Sequence, residues 1–117
     1  MLNWLEQEIL RAEQDFLLHT GNENACQLHK DGRVTGGMKY DEGRLVVLMT
    51  VRRIVRVQDA WEPEQLAETL ENERAKWHKA LDTYQNAAHP SIPWLAYSQG
   101  GVDELEKVLT ALLSQSA

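Results

Sequence analysis

The residues best suited to metal or nucleophilic chemistry are a single cysteine and four histidines. Cys26 and His29 have the Cys-x-x-His spacing, and His19 lies a few residues earlier. A structural zinc site needs four ligands, and the other candidates, His78 and His89, lie far along the chain. A lone cysteine is more often an inert core residue than a nucleophile. We therefore expect no metal, no cofactor and no catalytic residue; a small metal-dependent enzyme built around Cys26, His29 and His78 remains an alternative.

Charge is distributed unevenly along the chain. Residues 30–57 hold seven basic residues against three acidic ones, which gives +4, whereas residues 1–29 carry −4 and residues 58–117 carry −6. Charges divided in this way can neutralise one another inside the fold, or the basic residues can present a face to a charged partner. Four arginines form a candidate face for an anionic partner: Arg44, Arg52, Arg53 and Arg56.

Two interpretations of these arginines remain open. On a strand, Arg52 and Arg56 point to one face and Arg53 to the other, and a basic β-ribbon of this kind can enter a nucleic-acid groove. The net charge of the whole chain is −6, which favours pairing of the arginines with acidic helices over nucleic-acid binding. A nucleic-acid-binding protein is therefore an alternative function.

Length and composition indicate one ordinary globular domain, residues 1–117. The chain is 43% hydrophobic and 26% charged, which is typical of a folded protein and not of a disordered one. The longest apolar run, residues 45–51, is far too short to span a membrane, and the N-terminus lacks the pattern of a signal peptide. Because one cysteine cannot form an intramolecular disulfide, we expect a cytoplasmic protein.

Apolar periodicity predicts a helix over residues 2–19. Residues 25–57 favour three antiparallel strands, because Asp31-Gly32 is a strong hairpin signal and the stretch after Gly43 is rich in β-branched residues. A helix through residues 45–57 is the rival interpretation. It would place Val47, Val51, Ile54 and Val55 on one face.

The remainder of the chain predicts a helix over residues 62–88, a loop over 89–101 and a last helix over 102–115. The predicted fold class is therefore α+β: a three-stranded antiparallel meander with an N-terminal helix and two C-terminal helices packed on one face.

The predicted loop carries the candidate binding residues. It is unusually apolar for a surface loop, with prolines that limit its freedom, and tryptophan and tyrosine dominate binding hot spots. Its candidate partner-binding residues are Ile92, Trp94, Leu95 and Tyr97. We expect a non-enzymatic small acidic adaptor protein that acts through protein–protein contacts. It is also expected to form a homodimer, because the chain has more apolar faces than one small domain can bury.

Overall fold

The computed structural model describes residues 2–20, 36–57 and 62–116. Nearly all of these residues belong to four helices: α1 (Leu2–Thr20), α2 (Gly36–Val57), α3 (Pro63–Gln85) and α4 (Ile92–Ser116). No strand occurs in the described part of the chain. The predicted α+β fold with a three-stranded meander is therefore wrong, and the protein is all-helical over these residues.

The error arises in α2, where β-branched residues were interpreted as a strand. Their spacing is helical: Val47 and Val51 are buried, and Ile54 and Val55 pack against the same core. These are the four residues that the alternative helix interpretation places on one face. Tertiary packing of an amphipathic face outweighs the weak β preference of the individual residues. Residues 41–43, which precede that β-branched stretch, lie inside α2, whereas the hairpin signal Asp31-Gly32 lies outside the described residues.

The last helix begins ten residues earlier than predicted, at Ile92 instead of residue 102. Pro93 is compatible with this start because it lies in the first turn, where a missing N–H group costs no hydrogen bond. The backbone N–H of Leu95 donates to the carbonyl oxygen of Ser91 over 2.9 Å, which closes that first turn. The predicted loop 89–101 therefore shrinks to a short connection between α3 and α4.

Helix α4 continues through Gly100-Gly101, and a close contact with α2 explains why glycine is present there. A Cβ atom on Gly100 would clash with the carbonyl oxygen of Tyr40 in α2, and one on Gly43 would clash with that of Tyr97 in α4. The two helix backbones therefore approach so closely that only glycine fits at either position. In this chain the glycine pair marks a helix crossing and not the end of a helix.

The core lies along the contact between α2 and α4, the largest between any two helices; α1 packs against α2, and α3 packs against α4. All four helices contribute buried side chains: Leu5, Ile9, Ala12, Val47, Leu48, Val51, Leu66, Leu70, Leu105, Val108, Leu109 and Leu112. This arrangement leaves the end of the α3–α4 hairpin beyond the main core. No helix among the described residues is long and apolar enough to cross a lipid bilayer.

Candidate functional site

The end of the α3–α4 hairpin brings two sets of aromatic residues together. A short connection, residues 86–91, returns the chain so that the end of α3 lies beside the start of α4. Trp77 and Tyr84 lie seven positions apart on α3, and Trp94 and Tyr97 lie three apart on α4, so each pair shares a helix face. These faces meet, and the four rings form the walls of one depression.

We call this depression the aromatic cleft. It has a volume of about 300 Å³ and is lined by Glu73, Lys76, Trp77, Ala80, Tyr84, Trp94, Tyr97 and Ser98. The rings contact one another at different angles. Trp94 meets Tyr97 edge-on with centroids 5.3 Å apart, and Trp77 lies tilted against Tyr97 at 5.3 Å. Tyr84 is nearly parallel to Trp94 at 6.4 Å. The cleft thus presents both faces and edges of aromatic rings to an incoming group.

Charged side chains hold the cleft in place. The Lys39 Nζ lies 4.9 Å from the centroid of the Trp94 ring and 3.0 Å from Glu42 Oε2. Lys39 is itself buried, so its cation–π contact fixes the position of the Trp94 ring. Burial and the negative charge of Glu42 raise the pKa of the Tyr97 phenol, which stays neutral at physiological pH. The cleft therefore offers a mainly apolar surface with the hydroxyl groups of Tyr84, Tyr97 and Ser98.

The candidate partner-binding residues divide between two sides of the hairpin. Trp94 and Tyr97 line the aromatic cleft, whereas Ile92 and Leu95 line a separate groove. All four lie in the first two turns of α4 and not in a loop. Trp77 and Tyr84 are the site residues that the sequence did not predict, because aromatic residues at helical spacing are equally typical of a helix face that packs into the core. The signal available was that aromatic residues recur at helical spacing on both sides of a short connection.

No protein-family model, no curated protein and no solved structure matches this chain. Over the described residues, no group of three or more histidine, cysteine, aspartate or glutamate side chains is placed to hold a metal ion. Cys26 and His29 lie outside those residues.

The candidate arginine face is occupied largely by intramolecular ion pairs. Arg52 Nη1 lies 3.3 Å from Glu6 Oε2, and Arg56 Nη2 lies 2.9 Å from Glu6 Oε1. Arg53 lies exposed on α2. The arginines lie on a helix, so the basic β-ribbon proposed for nucleic-acid binding does not exist. Nucleic-acid phosphates would have to compete with Glu6 for two of these cations.

Arg44 is the centre of a second polar cluster. Its Nη1 donates to Asp15 Oδ2 over 2.9 Å and to Asp41 Oδ1 over 3.0 Å, and its Nε donates to Glu104 Oε1 over 3.0 Å. Burial opposes the charge of Arg44, but hydrogen bonds to three acids outweigh it and raise its pKa. Arg44 therefore stays charged and links α1, α2 and α4.

Glu8 and Glu104 extend this cluster. They are 1% and 2% exposed, and each carboxyl group shifts the pKa of the other. Burial and the hydrogen bond to Glu8 raise the pKa of Glu104 to about 7. Burial also opposes ionisation of Glu8, but the hydrogen bond from Glu104 and the cation of Lys107, 2.8 Å away, lower its pKa. Below about pH 7, a carboxylic acid at Glu104 can therefore donate to a carboxylate at Glu8.

A polar pocket of about 360 Å³ lies beside this cluster, and it is a weaker binding candidate. It is lined by Tyr40, Arg44, Asp103, Glu104 and Lys107. Its groups already bond to neighbours: Tyr40 Oη donates to Asp103 Oδ2 over 2.6 Å, and Gln99 Nε2 donates to Asp103 Oδ1 over 2.7 Å. A ligand would have to break these bonds to bind, whereas the aromatic cleft presents surface that is available without such a cost.

Proposed function

We propose that this chain is a non-enzymatic binding protein that acts through protein–protein contacts. The aromatic cleft receives one large apolar or aromatic side chain from a segment of a partner protein. The observation that supports this function is the convergence of Trp77, Tyr84, Trp94 and Tyr97 around an open depression.

The chemistry of the cleft favours a side chain as its occupant. Its volume of about 300 Å³ is at the lower end of the range for small-molecule sites. Tryptophan and tyrosine are the residue types enriched where proteins bind one another most strongly. They provide large apolar area at a low cost in conformational entropy, because each side chain has only two torsions to fix. The pairing of Glu73 with Lys76 over 3.2 Å supplies a polar rim.

The rim charges are balanced, so the cleft itself selects for apolar surface and not for net charge. Glu73 and Lys76 have opposite signs, as do Glu42 and Lys39 beside Trp94 and Tyr97. A strongly charged ligand would gain little at such a site. This property distinguishes the cleft from the polar pocket near Arg44, where ionised groups predominate.

A displayed random-peptide library, selected on the immobilised protein, tests this function. The proposal predicts enriched peptides that share one aromatic or large aliphatic residue and that fail to bind the Trp94→Ala variant. Leu113→Ala is the matched control, because Leu113 is also an exposed apolar residue of α4 but lies outside the cleft. Peptides that bind wild type and Trp94→Ala equally well would contradict the proposal.

The cytoplasm is the proposed location. The support for it is the single cysteine, Cys26, since a chain with one cysteine cannot depend on an intramolecular disulfide for stability. Fractionation of the cells that make the protein tests this point, and recovery from an oxidising compartment would contradict it.

A further inference from the structure

One residue of the aromatic cleft differs from the others in both chemistry and burial. Ser98 is 1% exposed, whereas the other residues that line the cleft are partly buried or exposed. Ser98 therefore lies at the floor of the cleft, and the aromatic rings form its walls. The deepest part of this mainly apolar site thus carries a hydroxyl group.

The hydroxyl group of Ser98 has no hydrogen-bond partner within the described part of the chain. Helical hydroxyl groups elsewhere in the protein donate to the carbonyl oxygen four residues earlier, although they are exposed to solvent. They belong to Thr50, Thr69, Thr83 and Thr110. A buried hydroxyl group without a hydrogen bond costs free energy, so its presence in a cleft indicates a group that binds there.

Gly101 shapes the cleft beside Ser98. It lies one turn after Ser98 on the same face of α4. A Cβ atom at this position would clash with the six-membered ring of the Trp77 indole, so that ring lies directly against the bare backbone of α4. A side chain on residue 101 would have to displace the Trp77 ring. Gly101 therefore fixes how closely this wall of the cleft approaches α4.

The group that best satisfies Ser98 is a neutral hydrogen-bond donor on an aromatic ring. A serine oxygen can accept two hydrogen bonds, and its proton can turn to a carbonyl oxygen of its own helix, which leaves the oxygen free to accept. The aromatic walls favour a flat ring as the occupant. Tryptophan and tyrosine carry a donor on such a ring, and tryptophan has the larger ring system for the walls to cover.

We propose that Ser98 makes the aromatic cleft specific for a tryptophan of the partner protein, whose indole N–H donates to the Ser98 hydroxyl oxygen. This inference rests on the proposed function, because it names the side chain that the cleft receives. A ring without a donor can still enter the cleft, but it leaves the Ser98 hydroxyl buried and unpaired, which weakens binding. Ser98 is therefore the residue that determines specificity.

Three ligands of similar shape test this role, with affinities measured from the indole N–H signals of Trp77 and Trp94 by nuclear magnetic resonance. 1-Methylindole lacks the N–H group and should bind wild type about tenfold more weakly than indole. 3-Methylindole has the same additional methyl group but keeps the N–H, so it should bind at least as tightly as indole. In Ser98→Ala, indole should lose its advantage and bind within about twofold of 1-methylindole.

Ser114→Ala is the matched control, because Ser114 is exposed on the same helix and lies outside the cleft. It should keep the wild-type preference for indole. Ser98→Ala should keep the wild-type helix content by circular dichroism, since alanine is the most favourable helix residue and no hydrogen bond within the described part of the chain is lost.

The outcomes separate this inference from the proposed function. Equal binding of indole and 1-methylindole to wild type would overturn the role of Ser98 but leave the cleft as a binding site. A preference for indole that persists in Ser98→Ala would overturn that role as well. If none of the three ligands binds wild type, the inference and the proposed function both fail.

Discussion

Glu104 of α4 and Glu8 of α1 place two buried carboxyl groups side by side inside the protein, where a proton on Glu104 lets it donate to Glu8. Lys107 and Arg11 neutralise Glu8, and Arg44 binds the other carboxyl group. The proton is what makes the contact attractive, because two ionised carboxylates at this distance would repel one another. The contribution of this contact to stability therefore depends on pH.

The first prediction concerns this pH dependence. Because folding raises the pKa of Glu104 from 4.5 to about 7, its contribution to stability is fully present below pH 4.5 and is lost as the pH rises through about 7. The free energy of unfolding should fall by about 3 kcal/mol across that interval. Denaturant titration at a series of pH values measures this slope.

Glu104→Gln isolates the source of that slope. The amide keeps an N–H donor for Glu8 and an oxygen acceptor for Arg44 but cannot ionise, so the decline between pH 4.5 and about 7 should largely disappear. Glu106→Gln, at an exposed position on the same helix, should keep the wild-type slope. An undiminished slope in Glu104→Gln would show that another group titrates in this range.

The second prediction concerns Arg44. Arg44→Ala removes the cation shared by the carboxylates of Asp15 and Asp41 and by the carboxyl group of Glu104, and Asp41 and Glu104 are buried. The loss of one partner from a buried ion pair costs about 3–5 kcal/mol. Arg53→Ala is the control: Arg53 is exposed on the same helix, and its loss should change stability by less than about 0.5 kcal/mol. Equal effects of the two changes would contradict this role for Arg44.

The third prediction concerns the crossing of α2 and α4. In an exposed helix, alanine is more favourable than glycine by about 1 kcal/mol, so Gly100→Ala would stabilise a helix without neighbours. Here the new methyl group meets the carbonyl oxygen of Tyr40, and the helices must separate. We expect a net loss of about 1–3 kcal/mol in the free energy of unfolding. A higher melting temperature for Gly100→Ala would contradict this close contact between α2 and α4.

The fourth prediction separates binding from packing at Trp94. Its side chain is at the edge of the cleft and 43% exposed, so Trp94→Ala should cost less than the 3–5 kcal/mol typical of a buried aromatic residue. Loss of its ring contacts with Tyr84 and Tyr97 should still cost about 1–2 kcal/mol. A core-sized loss of stability with unchanged ligand affinity would indicate that Trp94 only covers the core.

Helix α1 could be predicted from the sequence because its apolar spacing has no competing interpretation. Helix α2 was predicted wrongly because valine, isoleucine and threonine favour strands on composition alone. The positions of Val47, Val51, Ile54 and Val55 carried the correct signal. For α4, the pair Gly100-Gly101 indicated a loop, because glycine is unfavourable inside a helix. The reason that glycine is needed there is the nearby carbonyl oxygen of Tyr40, and the sequence does not reveal that contact.

The candidate site was predicted only in part. Trp94 and Tyr97 were identified from residue type, but their partners on α3 depend on how the hairpin closes, which the spacing along one helix does not specify. The same holds for Glu8 and Glu104, which are far apart in sequence and meet only in the folded chain. Long-range pairs of this kind were inaccessible because the order of helices in space was unknown.

Binding of indole to the aromatic cleft, followed through the indole N–H signals of the protein's own tryptophans by nuclear magnetic resonance, tests the central claim most directly. Indole represents a tryptophan side chain of a partner. Trp77 and Trp94 line the cleft, whereas Trp4 of α1 packs against the core and serves as an internal control. With indole, we predict saturable shifts of the Trp77 and Trp94 signals and an unmoved Trp4 signal. Tetramethylammonium, which is a cation, should cause no saturable shifts, because the cleft selects for apolar surface and not for charge. Signals of Trp77 and Trp94 that stay fixed, or that move no more than that of Trp4, would contradict the account.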